Sequence, residues 1–473
     1  MQSKMPHPLS MTRFRCLLAI STAGVLMCLA WAQPVWSQLV PPSSPEQLPG
    51  GSVLSGKSPL SKNPLPKSQG AATPSTSKLS PEERQARIQA KQQAEQKADE
   101  FRMTTYGMIA PTDQAPLAIA FQKASDNFRN AIADYTEAHV RIQHRLKDVM
   151  PEGAREKWLE KLAESNTALR AYRDAAAELY ASDPNQYPGV GDLLKEMLLY
   201  DGKTDRLDHW TGPAKVLVNS KALVDDQVLL AAGLAGLIEG DFELVKQTWT
   251  QLEAAQKLGP QESILLSKLD EIQKSWENEL KRQEQDKSKN NPQVRILTTK
   301  GEIVVELFED DAPETVANFM YLVEQGYYNR KPFFFVKEHL LAQTGCEKGD
   351  GKGSAGYGVK PEADLPTRRN HFRGSLAMPV GNVSDPSQGS LSFAGSQFYF
   401  SFLPLPLADE RNAVFGRVIS GIETIGLFKI VDMTDEETRK DHSLRIDTII
   451  RTEVIRKRDH DYRPTPVIGR LPR

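Results

Sequence analysis

The feature that most constrains the fold is a change of hydrophobic pattern close to Asn291-Pro292. Over residues 81–283, apolar side chains recur mostly at the three- and four-residue spacing of amphipathic helices. Beyond the change, apolar and polar side chains alternate in Val294–Thr298 and Ile303–Phe308, which is the period of half-buried strands. We therefore predict a multidomain chain, with an α-helical region followed by a domain of antiparallel strands.

Aromatic residues define the first packed helix of the helical region. Phe121, Phe128, Tyr135 and Ile142 recur every seven residues, which predicts one buried stripe. Two further amphipathic segments meet at Gly240-Asp241, and this pair resembles one unit of a tetratricopeptide-like helical repeat. An irregular helical bundle is the alternative. Helical patterns cover residues 153–182, 190–200, 226–238, 242–257 and 260–283.

The N-terminus has the three-part pattern of a secretory signal peptide, which we predict over residues 1–32. Three basic residues and no acid precede the apolar run Cys16–Leu29, and Ala30-Trp31-Ala32 places small residues where a signal peptidase cuts. The run is shorter than the ~20 apolar residues of a membrane span. We expect export to the periplasm or the medium, with no stable membrane insertion after cleavage. An uncleaved N-terminal anchor is the alternative.

Composition divides the rest of the chain. Residues 33–80 are rich in Pro, Ser and Gly and are predicted to be a disordered linker. Residues 284–292 are predicted to be a charged linker, and 458–473 a C-terminal tail. The chain has 59 basic and 61 acidic residues, so its overall charge does not favour nucleic-acid binding. After signal cleavage only Cys346 remains, which excludes an internal disulfide.

Five ordered motifs identify the last third of the chain. They are TTKGEIVVELFEDDAPETVANFMYLVEQGYY from Thr298, the glycine-rich stretch 349–357, RGSLAM from Arg373, GSQFYF from Gly395 and VFGRV from Val414. Together they resemble the cyclophilin-type peptidyl-prolyl cis-trans isomerases, over residues 293–457. The resemblance implies a closed antiparallel barrel of eight strands with two capping helices, at 313–325 and 422–430. It also implies a rotamase that acts on X–Pro bonds and assists protein folding.

The resemblance also implies the site residues. Gln343 and Gln397 stand where the family has its two substrate-gripping glutamines, and the remaining substrate-binding positions are Leu340, Leu341, Met378, Pro379, Tyr399 and Leu407. Three positions depart from the family pattern: Phe335 occupies the place of the catalytic Arg, Asn412 that of a pocket His, and Leu407 that of a frequent Trp. Lys337 shares the strand face of Phe335 and is a candidate substitute cation.

Other sites are weaker. The glycine-rich loop lacks the spacing of a phosphate loop, and His339 and Cys346 lack the paired ligands of a zinc site, so we expect no cofactor and no metal. His371 is predicted to be a structural loop residue, and Cys346 a buried thiol.

Three functions stay open. The first is an exported isomerase whose partners are Pro-containing polypeptides or unfolded exported proteins. The second is a catalytically weak or inactive module that binds Pro-containing segments. The third is a helical scaffold to which the barrel is an accessory. In each case the helical region is a candidate surface for protein partners.

Overall fold

The computed structural model describes residues 115–143, 153–385, 389–441 and 443–469, all within one unit that spans Thr105–Arg473. The predicted signal peptide, the Pro/Ser/Gly linker and the helix predicted to begin near Ser80 lie outside the described residues. Across the described part of the chain, no helix is long and apolar enough to cross a membrane.

The predicted stripe is confirmed at Phe121, whereas Phe128 and Tyr135 are half-buried and the side chain of Ile142 lies outside the described residues. Phe121 is buried, and its ring centroid lies 5.2 Å from that of Tyr172, which also stacks on Phe128 at 5.7 Å. The sequence prediction missed one helix, 211–219, in which Gly and Pro interrupt the apolar pattern. The helices are α1 (Pro116–Gln143), α2 (Ala154–Ser182), α3 (Pro188–Lys203), α4 (Thr211–Asn219), α5 (Asp226–Glu239), α6 (Phe242–Ala254), α7 (Pro260–Ser267) and α8 (Leu269–Asp286).

The tight turn between α5 and α6 forms as predicted. Gly240 adopts φ +78°, and the Asp241 carboxylate accepts the amide hydrogen of Leu244 at the start of α6. Helices α1 to α8 range from 8 to 29 residues, and α7 and α8, with 8 and 18 residues, do not repeat the lengths of α5 and α6. A tetratricopeptide-like repeat is therefore not shown.

The β-rich region begins at Gln293, in agreement with the change of pattern. Its elements are β1 (Gln293–Thr298), β2 (Glu302–Leu307), α9 (Pro313–Glu324), β3 (Phe335–Lys337), β4 (Leu341–Thr344), β5 (Tyr357–Val359), β6 (Ser375–Met378), β7 (Val380–Asp385), β8 (Gly389–Ala394), β9 (Phe398–Ser401), β10 (Ala413–Ser420), α10 (Ile422–Ile425), β11 (Val431–Asp432), α11 (Glu436–Lys440), β12 (Ile449–Arg456) and β13 (Pro466–Gly469).

The strands do not form the closed eight-stranded barrel that the resemblance implied. Nine strands pair in the order β11-β3-β4-β9-β6-β10-β2-β1-β12, and four more in the order β13-β5-β8-β7. The two ends of the larger sheet approach each other at residues 330–333 and 447–449, where three backbone hydrogen bonds of 2.8–2.9 Å join them. Pro332 pairs with Thr448 there as an isolated bridge, which does not continue into a ladder of paired residues.

The first capping helix is confirmed and the second is shorter than predicted. Val316, Phe319 and Val323 of α9 are buried on one face, which packs against β5, β10 and β12. The helix predicted over 422–430 ends at Ile425. Beyond it, the Lys429 amide donates to the Asp447 carboxylate at 2.9 Å instead of to a helical carbonyl.

The two predicted flanking segments hold ordered contacts. The charged stretch 284–292 contains the last turn of α8, with Asp286 buried, and Asn291 is buried as well. In the predicted tail, Tyr462 is buried and donates to Glu309 at 2.7 Å, and β13 pairs with β5.

Candidate functional site

Three of the predicted site residues lie side by side across the larger sheet. Phe335 of β3 is directly opposite Gln343 of β4, which is directly opposite Tyr399 of β9. Residues paired in this way share one face of a sheet, with Cβ atoms about 4.5–5.5 Å apart. The row continues through Ala377 of β6. This face therefore carries an aromatic ring, an amide and a second aromatic ring in sequence.

The two glutamines form a hydrogen-bonded relay anchored in the glycine-rich loop. The Gln397 Nε2 group donates to the carbonyl oxygens of Gly351 and Gly353, both at 2.9 Å, so its Oε1 must accept. It accepts from Gln343 Nε2 at 2.8 Å. The Gln343 amide therefore keeps one N–H and its carbonyl oxygen for a further partner.

Small residues are required in this loop. Gly351 has φ +79°, which favours glycine. A Cβ at Gly353 would stand 2.7 Å from the Lys348 amide nitrogen. The loop carbonyls thus reach Gln397 only because the backbone folds tightly on itself.

The Tyr399 hydroxyl is the centre of a buried polar network. It lies 2.8 Å from His371 Nε2 and accepts from Asn412 Nδ2 at 2.9 Å. The Asp409 carboxylate is 2.6 Å from His371 Nδ1 and accepts the His371 backbone amide at 2.7 Å. When His371 Nδ1 donates its hydrogen to the Asp409 carboxylate, Nε2 carries no hydrogen and accepts a hydrogen bond from the Tyr399 hydroxyl. Burial raises the pKa of Tyr399, although donation by Asn412 opposes the rise, so the hydroxyl keeps its proton.

Asn412 is held by two partners. Its Nδ2 donates to Tyr399, and its Oδ1 accepts the Val380 amide hydrogen at 3.2 Å. One N–H and one lone pair of the carboxamide stay available, so Asn412 presents both a donor and an acceptor beside Tyr399.

An apolar cluster lies next to these polar groups. Buried Phe308, Ala377, Tyr399 and Val414 form it, and the half-buried Leu341 and Leu405 pack against it. This cluster is separate from the main core of the β-region. The predicted pocket floor at Leu341 therefore adjoins the amide row.

The comparisons with known proteins agree with this geometry. A family model described as cyclophilin type peptidyl-prolyl cis-trans isomerase matches residues 293–454. A peptidyl-prolyl cis-trans isomerase of Helicobacter pylori is 36% identical over 143 residues, which are 30% of this chain and 82% of the relative. A peptidyl-prolyl cis-trans isomerase-like 1 of Aspergillus fumigatus is 32% identical over 163 residues, 34% of this chain and 94% of the relative. The chain belongs to the cyclophilin-type peptidyl-prolyl cis-trans isomerase family.

A solved structure was also found. The crystal structure of a cyclophilin-type peptidyl-prolyl cis-trans isomerase of Cryptosporidium parvum has 25% sequence identity and a TM-score of 0.30, and it covers 36% of this chain and 99% of its own.

Not every predicted residue of the cyclophilin site lies on the amide row. Met378 has no exposed surface and packs in the main core, where Asn318 Nδ2 lies 3.6 Å from its sulfur. Its neighbour Ala377 occupies the site face instead, because successive strand residues point to opposite faces. Leu340 and Pro379 are half-buried at the ends of β4 and β6. Leu407 is 64% exposed in the loop before β10.

No arginine stands at the start of the row. Phe335 is half-buried there. Lys331 is engaged elsewhere, 3.2 Å from Glu347 and 4.5 Å above the ring of Tyr327. Lys337 is exposed, opposite Leu341, and has no ion pair within the described residues. Lys337 therefore stays a candidate substitute cation.

Sequence reasoning missed the link from His371 to Asp409 and Tyr399. His371 precedes RGSLAM by two residues and Asp409 lies 38 residues further on, so only the fold unites them. Cys346 is buried as predicted, and its sulfur accepts the Gly353 amide hydrogen at 3.2 Å. Among the described residues, no group of three His, Cys, Asp or Glu side chains could hold a metal ion.

Proposed function

We propose that this chain is an exported cyclophilin-type isomerase that binds X–Pro segments on the face formed by Phe335, Gln343 and Tyr399. The observation that supports it is the coincidence of an oriented amide pair, Gln343 with Gln397, and an adjoining apolar cluster on one sheet face. A proline ring needs the apolar surface, and the peptide backbone beside it needs a donor and an acceptor.

The chemistry requires no covalent step. Amide resonance sets a barrier of about 20 kcal/mol to rotation of an X–Pro bond. In the twisted amide the proline nitrogen loses conjugation and accepts a hydrogen bond. A donor at this nitrogen stabilises the transition state more than the ground state. Gln343 and Asn412 each keep one N–H group that makes no other hydrogen bond among the described residues and could serve as such a donor.

The aromatic ring of Phe335 cannot supply a hydrogen bond where the family has its catalytic Arg. By analogy with an oxyanion-hole donor, the loss is worth about 3–4 kcal/mol, or roughly two to three decades in rate. This favours the second candidate, a module that grips Pro-containing segments with little turnover.

Phe335→Arg in the otherwise intact chain separates the two candidates. The measurement is the rate of cis–trans exchange of an Ala-Ala-Pro-Phe peptide, together with its dissociation constant. For the isomerase, we expect wild-type turnover above the uncatalysed rate and a gain on introduction of Arg. Peptide binding without turnover in wild type would establish the binding module. Ile455→Arg adds the same charge at an exposed position of β12 and controls for non-specific attraction.

The role in protein folding and the place of action are part of the same proposal. We propose cleavage after Ala32, export to the periplasm or medium, and unfolded exported proteins as clients, with the helical region as a surface for protein partners. Determining the N-terminal sequence of the exported protein tests the first step, because an intact N-terminus would mean an uncleaved anchor. Recovery of the same partners by residues 81–290 alone would favour the scaffold alternative.

A further inference from the structure

A short connection between α3 and α4 lies against the strand ends of the site. We define residues 204–209 as the strap. Its backbone is fixed at both ends: the Arg206 amide donates to the Asp201 carbonyl at 3.0 Å, and the Asp201 carboxylate accepts from Trp210 Nε1 at 2.9 Å. Asp205 and His209 have φ of +51° and +62°, a region that non-glycine residues rarely adopt. The strap is thus a strained segment held in place by its surroundings.

Asp205 of the strap forms hydrogen bonds with the turn between β3 and β4. Its carboxylate accepts the His339 backbone amide at 3.0 and 3.2 Å and lies 2.8 Å from His339 Nδ1. The side chain of Gln261, at the start of α7, donates to the His339 carbonyl oxygen at 2.6 Å. His339 itself has φ +55°. Both backbone polar groups of this turn residue are therefore satisfied by the helical region.

The neighbouring strand ends are held from the same side. Arg373, just before β6, donates to the Asp205 carbonyl at 2.6 Å and to the Asp208 carboxylate at 2.6 and 2.8 Å. Phe372 and Leu403 are buried in the core of the helical region. The strands that carry Gln343, Ala377 and Tyr399 are thus each anchored at one end by helical-region residues.

We propose that Asp205 is a positioning residue for the peptide site, which makes the helical region a structural part of that site. This inference rests on the proposed function for its peptide readout. The β3–β4 hairpin carries Phe335, Leu341 and Gln343, and Asp205 fixes its turn. Moving the turn shifts the floor of the site and the Gln343 amide relative to Tyr399, which stands on β9.

Two variants displace the strap without changing a residue of the peptide site. Asp205→Asn keeps a residue that tolerates positive φ but removes the charge and one acceptor. Gly426→Ala acts by contact alone: Gly426 has φ −76°, and a Cβ there would stand 2.5 Å from the Asp205 carbonyl oxygen and 2.7 Å from that of Thr204. The matched controls are Asp226→Asn, in an exposed ion pair with Lys257, and Gly212→Ala, where no atom lies within 4 Å of the new Cβ.

The experiment measures the affinity of each full-length variant for Ala-Ala-Pro-Phe and the hydrogen exchange of residues 338–343. We expect Asp205→Asn and Gly426→Ala to weaken peptide binding about fivefold and to speed exchange of the hairpin amides, while both controls match wild type. Hairpin exchange equal to the controls would overturn the inference whether or not the peptide binds. Absence of peptide binding in wild type would instead count against the proposed function.

The pH dependence of peptide affinity tests the positioning role, because a contact that only stabilises the fold would leave this dependence unchanged. Burial lowers the pKa of His339, but the hydrogen bond and charge of Asp205, with Glu338 and Glu262, outweigh it and raise the pKa above its usual value. The other charges near the strap are Lys203, close to Glu338, the ion pairs of Arg206 with Asp201 and of Arg373 with Asp208, and Glu423 beside Arg373. Because the pKa of His339 is higher in the folded protein than in the unfolded chain, the ion pair of His339 with Asp205 is fully formed below the usual histidine pKa. It weakens as the pH rises through the pKa of His339 in the folded protein.

Peptide affinity should therefore decline over that rise in pH in wild type. It should be nearly flat over the same range in Asp205→Asn. Equal pH profiles for the two proteins would contradict the positioning role.

Discussion

Arg369 joins the helical region to the β-region through a buried ionic cluster, and its removal is the sharpest test of that junction. Its guanidinium has 1% of its surface exposed and binds the Asp286 carboxylate of α8 with two bonds of 2.8 Å. It also donates to Asp311 at 2.6 Å and to Glu279 at 3.2 Å, and it lies 3.6 Å from the ring centroid of Phe308. Asp286 has no exposed side-chain surface.

Arg369→Met keeps the packing of the side-chain stem but leaves these carboxylates short of a cation. Two other cations lie near Asp286, and both already have acidic partners. Lys289 Nζ is 3.5 Å from Asp286 and 3.5 Å from Asp310, and Arg417 Nη1 is 3.7 Å from Asp286 while its Nη2 pairs with Glu306 at 2.9 Å. Removing one partner of a buried ion pair costs about 3–5 kcal/mol, because the remaining charge is desolvated and uncompensated. Arg368→Met is the neighbouring control. Its ion-pair partner Glu410 is 3.9 Å away and exposed, and its other contact is one hydrogen bond of 3.1 Å to the Asp409 carbonyl oxygen, so a loss of about 1 kcal/mol is expected.

The chain supplies a separate probe for each region. No tryptophan lies after Trp276, and four of the six, at 158, 210, 249 and 276, belong to the helical region, so the change in their fluorescence reports on that region. Cys346 is the only cysteine after Cys28 and lies buried in the β-region. Urea unfolding followed by fluorescence and by pulsed alkylation of Cys346 should show the same loss of stability in Arg369→Met. A loss no larger than that of Arg368→Met, or a shift in only one probe, would refute the reasoning.

The pH dependence of this deficit has a definite sign. Burial raises the pKa of Glu279 even with Arg369 beside it, and loss of the guanidinium raises it further. A carboxyl whose folded pKa is raised destabilises the fold once pH exceeds its unfolded value. The deficit of Arg369→Met should therefore be smaller near pH 4.5 than near pH 7.5, and a constant deficit would contradict the assignment of its cause.

Three further predictions follow from single contacts. Tyr399→Phe leaves His371 Nε2 and the Asn412 amide without their buried partner and should lower the free energy of unfolding by about 1–3 kcal/mol, measured in urea; no change would mean that the network is not formed. Gly421→Ala combines φ +77° with a Cβ 2.0 Å from the Glu302 carbonyl oxygen and should destabilise by at least about 1 kcal/mol in the same assay, whereas Gly212→Ala should not. Cys346 should react with an alkylating reagent only on unfolding, and rapid labelling of the native chain would disprove its burial.

Local pattern was sufficient for the elements that have one apolar face. The stripe of α9 and the strands β1 and β2 follow from periodicity alone, because burial on one side imposes it. The segment Ser375–Met378 differs, because all four of its residues are buried. A pattern of alternating burial therefore cannot show which of them face the site. The family resemblance implies Met378 as a site residue, and the structure places its side chain in the main core and Ala377 in the cluster beside the amide row.

Contacts between distant residues could not be predicted from one sequence. Asp205 and His339 are 134 residues apart, and nothing in either local pattern indicates the other. The same holds for Arg369 with Asp286, which lay in a stretch that composition alone marks as a charged linker. A charged residue in a polar stretch is expected to be exposed to solvent. Asp286 is buried instead, because the fold places the Arg369 guanidinium against its carboxylate.

These long-range contacts decide how the activity of this cyclophilin has to be measured. A fragment that begins near residue 290 lacks Asp205, Asp208, Glu279 and Asp286, and it would leave Arg369 and Arg373 without most of their acidic partners. Inactivity of such a fragment would have two explanations with the same readout: the proposed effect of Phe335 in place of an arginine, and a displaced hairpin in a destabilised β-region. A chain that includes the helices from α1 onward keeps the contacts that hold the hairpin and the β-region. In such a chain, a difference in activity between Phe335→Arg and wild type reports on the side chain at position 335 alone.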